Sequence, residues 1–231
     1  MTDLVRVWII PRDVPPEIAA KCSEVLDDRE RARAAAFLTS RDRQQFVIAH
    51  GALRILLGRE LNTPAQALIW TAGEHGKPEL APPWSALCTS LSHSAGLIAV
   101  AASAQRPVGV DIQHLLDRLD PIALSARFFP PDEAGYVAAG PDVSTRADRF
   151  THLWARKEAV VKAAGGRLWP NLAITVRNRE IVSCTEPASR YRVADVTAPT
   201  GFRAAVALSG GMPFVAEVGG WPTDVAESAM A

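Results

Sequence analysis

Asp111 and Gln113 are the first residues in this sequence whose types and spacing favour a particular chemistry. They lie in the segment GVDIQ, where the alternation with apolar residues predicts a strand that projects both side chains from one face. Their oxygen atoms suit a hard cation such as Mg²⁺, which takes one or two protein carboxylates beside waters and substrate phosphates. An Asp-x-Gln strand alone is weak evidence, because strands often end in Asp at turns.

The segment around residue 154 is the most clearly helical part of the chain, and it carries charges on its apolar side. At 100° per residue, Lys157 falls inside the apolar stripe and Glu158 at its edge. The stripe consists of Phe150, Leu153, Trp154, Val161 and Ala164. A buried ion without a partner is costly, so a charged group is expected to meet this helix. For Glu158 and Lys162, the spacing alone indicates a surface pair worth roughly 0.3–0.5 kcal/mol.

Residues 29–59 form a basic block that is rich in alanine. Asp28 is predicted to cap a helix that ends near Leu38, and Ser40 a second helix with apolar positions near a 3.6-residue period. The arginines are Arg29, Arg31, Arg33, Arg41, Arg43, Arg54 and Arg59. They form either a solvated helix face or an anion-binding surface.

Composition and length exclude several classes of protein. The chain has 231 residues with 25 basic and 25 acidic side chains, a balance that argues against a dedicated nucleic-acid binder. The longest apolar run, Leu97–Ala102, is far short of the ~18 residues of a membrane helix. The first residues, Met1–Pro11, lack the pattern of a signal peptide. Three cysteines without a CxxC pair argue against a disulfide framework. We therefore expect a cytoplasmic protein that does not bind membranes.

The order of elements predicts an α+β fold with two halves, each running from helices to strands. We place the first half at residues 1–106, the second at 107–221, and a disordered tail at 222–231. Helices are expected at Pro121–Phe129, Asp132–Ala139 and Ser144–Ala164. Strands are expected at Leu68–Trp70, Leu87–Leu91, Gly96–Ala102, Val108–Ile112, Leu172–Val176, Tyr191–Val196, Phe202–Leu208 and Phe214–Val218.

Two further segments lack the spacing of common catalytic motifs. Gly76–Pro78 (GKP) does not have the spacing of a Walker phosphate loop, and a proline follows its lysine directly. Ser90–Ser94 (SLSHS) has no Gly-x-Ser-x-Gly elbow, which argues against a hydrolase triad.

Taken together, GKP, SLSHS, GVDIQ and WARKEAVVKA at Trp154–Ala163 resemble the Sfp-type 4′-phosphopantetheinyl transferases in order and spacing. The resemblance implies transfer of phosphopantetheine from coenzyme A to a serine of an acyl or peptidyl carrier protein, which leaves adenosine 3′,5′-bisphosphate. It also implies a pseudo-two-fold monomer with coenzyme A in the cleft between the halves.

The resemblance also implies roles for individual residues. Asp111 and Glu158 match the magnesium-binding carboxylates, and Lys162 matches the catalytic-helix lysine, with Glu158 as the candidate base. The residues expected to bind coenzyme A are Lys77, Pro78, Ser92, His93, Lys157 and Lys162, together with Arg33, Arg41 and Arg43 near the 3′-phosphate. Gln113 departs from the family pattern, because it stands where a second acidic metal ligand is expected, and an amide oxygen binds Mg²⁺ more weakly.

Two alternatives remain at this point. The chain could be a non-catalytic homologue that binds coenzyme A or a carrier protein, with turnover lost through Gln113, or a magnesium-dependent phosphohydrolase. The segment Pro121–Glu133, with Leu124, Arg127, Phe128 and Phe129, is either a carrier-docking surface or part of the second core.

Overall fold

The computed structural model describes residues 2–73, 77–115, 119–165, 172–185 and 188–221. The first elements are β1 (Asp3–Pro11), α1 (Pro16–Glu24), α2 (Asp28–Ala35), α3 (Ser40–Glu60), β2 (Trp70–Ala72), β3 (Pro78–Leu80), β4 (Leu87–Ser94) and β5 (Leu97–Ala104). They are followed by β6 (Val108–His114), α4 (Pro121–Phe128), α5 (Pro131–Ala138), α6 (Val143–Ala164), β7 (Ile181–Thr185), β8 (Ala188–Val196), β9 (Phe202–Ser209) and β10 (Phe214–Gly220). Gly76 of the GKP motif and the tail 222–231 lie outside the described residues.

Two four-stranded sheets form the centre of the molecule, with strand orders β10-β1-β5-β4 and β6-β9-β8-β7. This arrangement confirms the α+β class. The sequence analysis assigned β10 to the second half, residues 107–221. This assignment is wrong, because β10 pairs in parallel with β1 and so belongs to the first sheet. Without β10, the backbone groups along that side of β1 would be an open sheet edge. No described helix is long and apolar enough to cross a membrane.

The two sheets pack face to face through small and β-branched side chains, among them Val5 and Val7 of β1, Val110 and Ile112 of β6, and Val206 of β9. Helix α3 covers the outer face of the first sheet, and α6 with α4 and α5 covers the second. Since side chains alternate along a strand, the inward-facing Val110 and Ile112 leave Asp111 on the opposite face of β6, towards α6.

The helices begin close to the predicted positions, and their caps explain the small differences. Asp27 caps α2 in a reciprocal capping box with Glu30, and Thr39 caps α3, so the predicted caps Asp28 and Ser40 are each the first helical residue instead. Leu172–Val176 is not a strand: its backbone forms turns and irregular structure, and the next strand begins at Ile181.

Lys157 has the charged partner that its position on α6 required. Its Nζ lies 2.5 Å from Oε2 of Glu133 in α5, and both side chains are fully buried. The other oxygen of Glu133 accepts the N–H groups of Val176 (2.6 Å) and Arg177 (2.7 Å). The prediction that Lys157 binds coenzyme A is therefore wrong, because its ammonium is enclosed in the core of the second half, where a phosphate cannot contact it.

The aromatic residues after β6 mainly fill that same core. Phe129 is buried and stacks on Phe150 with ring centroids 5.1 Å apart, while Leu124 and Phe128 pack against its edge. The core interpretation is thus correct for these three residues. Ile122 on α4 stays exposed.

Helix α6 packs on β6 at unusually short range, and Gly109 permits the contact. A Cβ at residue 109 would lie 2.0 Å from the carbonyl oxygen of Ala159 and 2.3 Å from the nitrogen of Ala163. These are backbone atoms, so the helix as a whole would have to move. Gly109 therefore fixes the distance between β6 and α6, the two elements that carry the predicted metal-binding and catalytic residues.

We predict that Glu133→Ala lowers the free energy of unfolding by about 3–5 kcal/mol, because it leaves the Lys157 ammonium buried without its carboxylate. Urea denaturation followed by circular dichroism measures the change. The double variant Glu133→Leu/Lys157→Met is the matched control: it removes both charges and should recover the part of the loss that comes from the unpaired ammonium, while the N–H groups of Val176 and Arg177 lose their acceptor in both variants. Wild-type stability of the single variant would contradict this ion pair.

We also predict that Gly109→Ala costs roughly 1–3 kcal/mol through overpacking between β6 and α6. Gly135→Ala is the matched control, because a Cβ there meets nothing within 4 Å and lies inside helix α5. That substitution should stabilise the protein by roughly 0.5–1 kcal/mol. Thermal unfolding compares the two, and equal effects would contradict the close contact.

Candidate active site

The seam between the two sheets is polar and follows the serines of SLSHS. Strand β6 is an edge strand, and its outward N–H groups donate to serine hydroxyls of β4 instead of to a backbone ladder. The pairs are Val110 with Ser90 (3.0 Å), Ile112 with Ser92 (3.4 Å) and His114 with Ser94 (3.0 Å). Serines two residues apart match the strand period, so the motif joins the two halves of the protein along this edge.

Asp111 is the centre of the polar cluster at this seam. Its Oδ1 accepts hydrogen bonds from Ser92 Oγ (2.6 Å) and Lys162 Nζ (2.6 Å), and Lys162 also donates to Ser92 (2.9 Å). Its Oδ2 is buried and has no hydrogen-bond partner among the described residues. One residue from the first half thus holds an ion pair whose members come from the second half.

Glu158 lies one helical turn before Lys162, on the same face of α6. Burial raises the pKa of Glu158 to about 7, while the charge of Lys162 lowers it and that of Asp111 raises it. The charge of Asp111 acts on the pKa of Glu158, so the two carboxyl groups lie within electrostatic range of each other. Both belong to the second half, and the first half contributes Ser92 to their cluster.

A cavity of about 480 Å³ opens beside this cluster, between α2, α3, β3 and β4 of the first half and the end of α6. It is lined by Arg33, Phe37, Asp42, Gln45, Phe46, Ala49, His50, Leu53, Lys77, Pro78, Thr89, Ser90, Leu91, His93, Lys162 and Gly165. Five of the predicted site residues therefore meet at one cavity: Arg33, Lys77, Pro78, His93 and Lys162. Its wall carries three cationic side chains, those of Arg33, Lys77 and Lys162, and one carboxylate, that of Asp42, among apolar and uncharged polar residues.

Arg41 and Arg43 do not line the cavity, although they were predicted to approach the 3′-phosphate. The residues of α3 that reach it follow a helical stripe at Asp42, Gln45, Phe46, Ala49, His50 and Leu53. Arg41 and Arg43 flank that stripe at 100° on either side of Asp42, and both are exposed. Arg41 and Arg43 thus lie outside the lining of this cavity, and their approach to the 3′-phosphate stays a prediction.

His50 and Phe46 are cavity residues that the sequence analysis did not select. Their rings stack with centroids 4.0 Å apart, and the Arg33 guanidinium lies over Phe46 at 5.2 Å. His50 Nδ1 is 3.3 Å from Oε1 of Glu30, whose Oε2 accepts from the fully buried Arg54 (2.6 Å). The helical spacing of the sequence could have identified His50, because it lies on the same stripe as Phe46, Ala49 and Leu53.

Ser92 and Lys77 are close to the cluster, but their polar atoms are engaged within the protein. Ser92 donates its hydroxyl hydrogen to Asp111 and accepts from Ile112 and Lys162. Lys77 Nζ donates to the carbonyl oxygens of Lys162 (2.8 Å) and Val108 (3.0 Å). Burial lowers the pKa of Lys77. The sequence analysis expected both side chains to bind coenzyme A and did not predict these hydrogen bonds within the protein.

His93 faces the same cavity under the influence of positive charge. Burial lowers the pKa of His93, and the nearby ammonium of Lys162 lowers it further. A neutral imidazole presents one donor and one acceptor, so His93 can hydrogen-bond a ligand without adding a charge.

The residues around Asp111 fit a magnesium ion. The free Oδ2 is an oxygen ligand that lacks a partner within the described residues, and the alternation of β6 puts Gln113 on the same face. In the described parts of the chain, no group of three or more His, Cys, Asp or Glu residues could hold a metal. Among the residues predicted to bind a metal, Asp111 and Glu158 are carboxylates and Gln113 is an amide.

Comparison with known proteins gives consistent results. A model of the 4′-phosphopantetheinyl transferase superfamily matches residues 107–208, which contain GVDIQ and the whole of α6. The chain is 32% identical over 167 residues to 4′-phosphopantetheinyl transferase HetI of Nostoc sp., covering 71% of this chain and 70% of that protein.

Other relatives match at similar or lower identity. The protein slr0495 of Synechocystis sp. is 33% identical over 165 residues, which cover 69% of this chain and 64% of that protein. The transferase Sfp of Bacillus subtilis is 26% identical over 142 residues. The chain thus spans 64% and 70% of the length of the Synechocystis and Nostoc relatives. With these matches and the site around Asp111, the chain belongs to the 4′-phosphopantetheinyl transferase superfamily.

Proposed function

We propose that this protein is an Sfp-type enzyme that transfers 4′-phosphopantetheine from coenzyme A to a serine of an apo acyl or peptidyl carrier protein. The reaction depends on Mg²⁺ and releases adenosine 3′,5′-bisphosphate. The observation that carries the proposal is the hydrogen-bonded cluster of Asp111, Lys162 and Ser92, with Glu158 one helical turn before Lys162, beside a cavity that Lys162 also lines. Transfer of this group needs charge stabilisation at a pyrophosphate, and these residues supply it.

The cavity supports a nucleotide as the bound part of the donor. Arg33 and His93 offer hydrogen-bond donors to phosphate, and the stacked rings of Phe46 and His50 offer an apolar face. Lys162 lies on both the cavity and the acidic cluster, so the pyrophosphate would lie beside it.

Asp111 through its free Oδ2, Glu158, and Gln113 directly or through water would hold the magnesium ion. When bound, Mg²⁺ supplies positive charge that stabilises developing negative charge on the phosphate oxygens. Gln113 removes one formal negative charge from this set, so we expect a weaker metal site with the activity retained.

The chemical step is a displacement at phosphorus. The carrier serine oxygen bonds to the phosphorus on the pantetheine side, and the bond from that phosphorus to the bridging oxygen breaks, so adenosine 3′,5′-bisphosphate leaves with that oxygen. Glu158 accepts the serine proton, directly or through water; such base assistance typically contributes 10²–10⁴-fold. Lys162 donates hydrogen bonds to the phosphate oxygens as their charge grows. Ser92 keeps Lys162 and Asp111 in their relative orientation.

The partners and setting follow from the same proposal. All three cysteines are free, which favours a reducing cytoplasm, and we propose that the protein acts there as a monomer. Leu119 and Ile122 are exposed apolar residues at the start of α4, and Arg127 is exposed in the last turn of the same helix. A carrier surface with acidic and apolar residues would complement them.

We predict that Glu158→Gln and Asp111→Ala each abolish modification of an apo carrier protein, because each removes a metal ligand and a charged group of the cluster. Mass spectrometry of the carrier measures the phosphopantetheine mass shift, and circular dichroism checks that the fold is kept. Glu217→Gln, on the exposed part of β10, is the matched control and should retain wild-type activity.

Near-normal activity of either site variant would refute the assigned site. Coenzyme A binding by the wild-type chain without carrier modification would favour the non-catalytic alternative. Release of nucleotide in the absence of any carrier would favour the phosphohydrolase. A panel of acyl and peptidyl carriers distinguishes these outcomes.

We predict that Gln113→Glu lowers the magnesium concentration needed for half-maximal rate, because a third carboxylate strengthens the attraction for the cation. The measurement is a magnesium titration of the initial rate at saturating coenzyme A and carrier. Gln113→Asn keeps the amide on a shorter side chain and is the comparison variant, with no such gain expected. An unchanged requirement in Gln113→Glu would show that residue 113 is not near the metal.

A further inference from the structure

Lys77 connects the two halves of the protein at the edge of the cavity. It comes from the first half, immediately before β3, yet its ammonium donates to two backbone carbonyls of the second half. One is Val108 at the start of β6 (3.0 Å), and the other is Lys162 in the last turn of α6 (2.8 Å). Among the described residues, no carboxylate lies within ion-pair distance of Lys77.

The carbonyl of Lys162 lies in the last turn of a helix, which explains why a cation is favourable there. The last carbonyls of a helix have no partner inside the helix and carry the negative end of its dipole, which a cation stabilises. The carbonyl of Lys162 accepts only one further hydrogen bond within the described backbone, from the N–H of Gly165 (3.2 Å). Lys77 therefore completes the C-terminal end of α6 with a charge.

Lys162 is held both at its backbone carbonyl and at its side-chain ammonium. The carbonyl of Lys162 is held by Lys77, and its ammonium is held by Asp111 and Ser92. Movement of the last turn would displace the Lys162 side chain from Asp111, and Glu158 is one turn away on the same helix face. The contact between Lys77 and α6 therefore bears on the geometry of the whole cluster.

We propose that Lys77 is a positioning residue: it clamps the end of α6 against the cavity wall and so aligns Lys162 and Glu158, and it is not a ligand of the coenzyme A phosphates. The inference rests on the proposed transferase function. A phosphate ligand would have to leave both carbonyls, and the partly buried carbonyl of Lys162 would lose its charged donor.

The kinetic test is Lys77→Met, which keeps the length of the side chain and removes its donors. For a clamp, kcat should fall roughly 10- to 100-fold, as expected when reacting groups are misplaced by about 1 Å, while KM for coenzyme A changes little. Lys21→Met on α1, outside the cavity, is the matched control and should leave both constants unchanged. A raised KM with normal kcat would overturn the proposal and make Lys77 a substrate ligand; no change in either constant would also overturn it.

Hydrogen exchange provides a readout that does not depend on activity. In Lys77→Met, the amides of residues 161–165 should exchange faster than in the wild type, and those at the start of α6 should not. Unchanged protection at the end of α6 would contradict the clamp. If the wild-type chain modifies no carrier, the transferase proposal fails, and this exchange measurement alone decides the role of Lys77.

A third measurement uses the wild-type protein and so remains valid if Lys77→Met fails to fold. The chain has four lysines, so peptide mapping after acetylation reports each of them. For a clamp, Lys77 should react slowly both with and without adenosine 3′,5′-bisphosphate. Fast acetylation that the nucleotide suppresses would identify Lys77 as a phosphate ligand and overturn the proposal.

Discussion

The ion pair between Asp111 and Lys162 is the interaction on which the rest of the site depends. Removing two opposite charges from water costs several kcal/mol per ion, and their attraction offsets this only where the geometry is good and other hydrogen bonds are made. Here the side chain of Asp111 is 5% exposed and that of Lys162 is 29% exposed, and Ser92 bonds to both. One oxygen of Asp111 keeps no protein partner within the described residues. The fold thus holds a carboxylate ready for a cationic ligand at a cost that other contacts must offset.

Those other contacts are supplied by the way the two sheets meet. An ordinary backbone ladder between β4 and β6 would have merged the sheets and left no room for side chains at the seam. Serine hydroxyls at every second residue of β4 instead satisfy the edge of β6, and one of them also reaches Asp111. Gly109 then allows α6 to approach the face of this strand that carries Asp111. The residues that join the two sheets therefore also form part of the candidate active site.

Local periodicity was sufficient to predict most elements and the faces of key residues. The strand period placed Asp111 and Gln113 on one face, and the helical period placed Glu158 and Lys162 one turn apart, while the motif resemblance assigned them to one site. Periodicity could not give the partners across long separations. Nothing local to Lys157 identifies Glu133, 24 residues earlier, and nothing in Phe214–Gly220 identifies β1 as its neighbour. The turn at Leu172–Val176 was misassigned because a short apolar run does not distinguish a strand from a buried irregular segment.

Gln113 can be understood from the charges already present. The pKa of Glu158 is raised to about 7, first by burial and in part by the negative charge of Asp111. A third carboxylate on the face of Asp111 would add like-charge repulsion near Glu158, which is already costly to ionise. An amide at this position avoids that repulsion while keeping an oxygen that can coordinate a cation or orient a water. Gln113 therefore adds no negative charge to this cluster, in which Lys162 already forms an ion pair with Asp111.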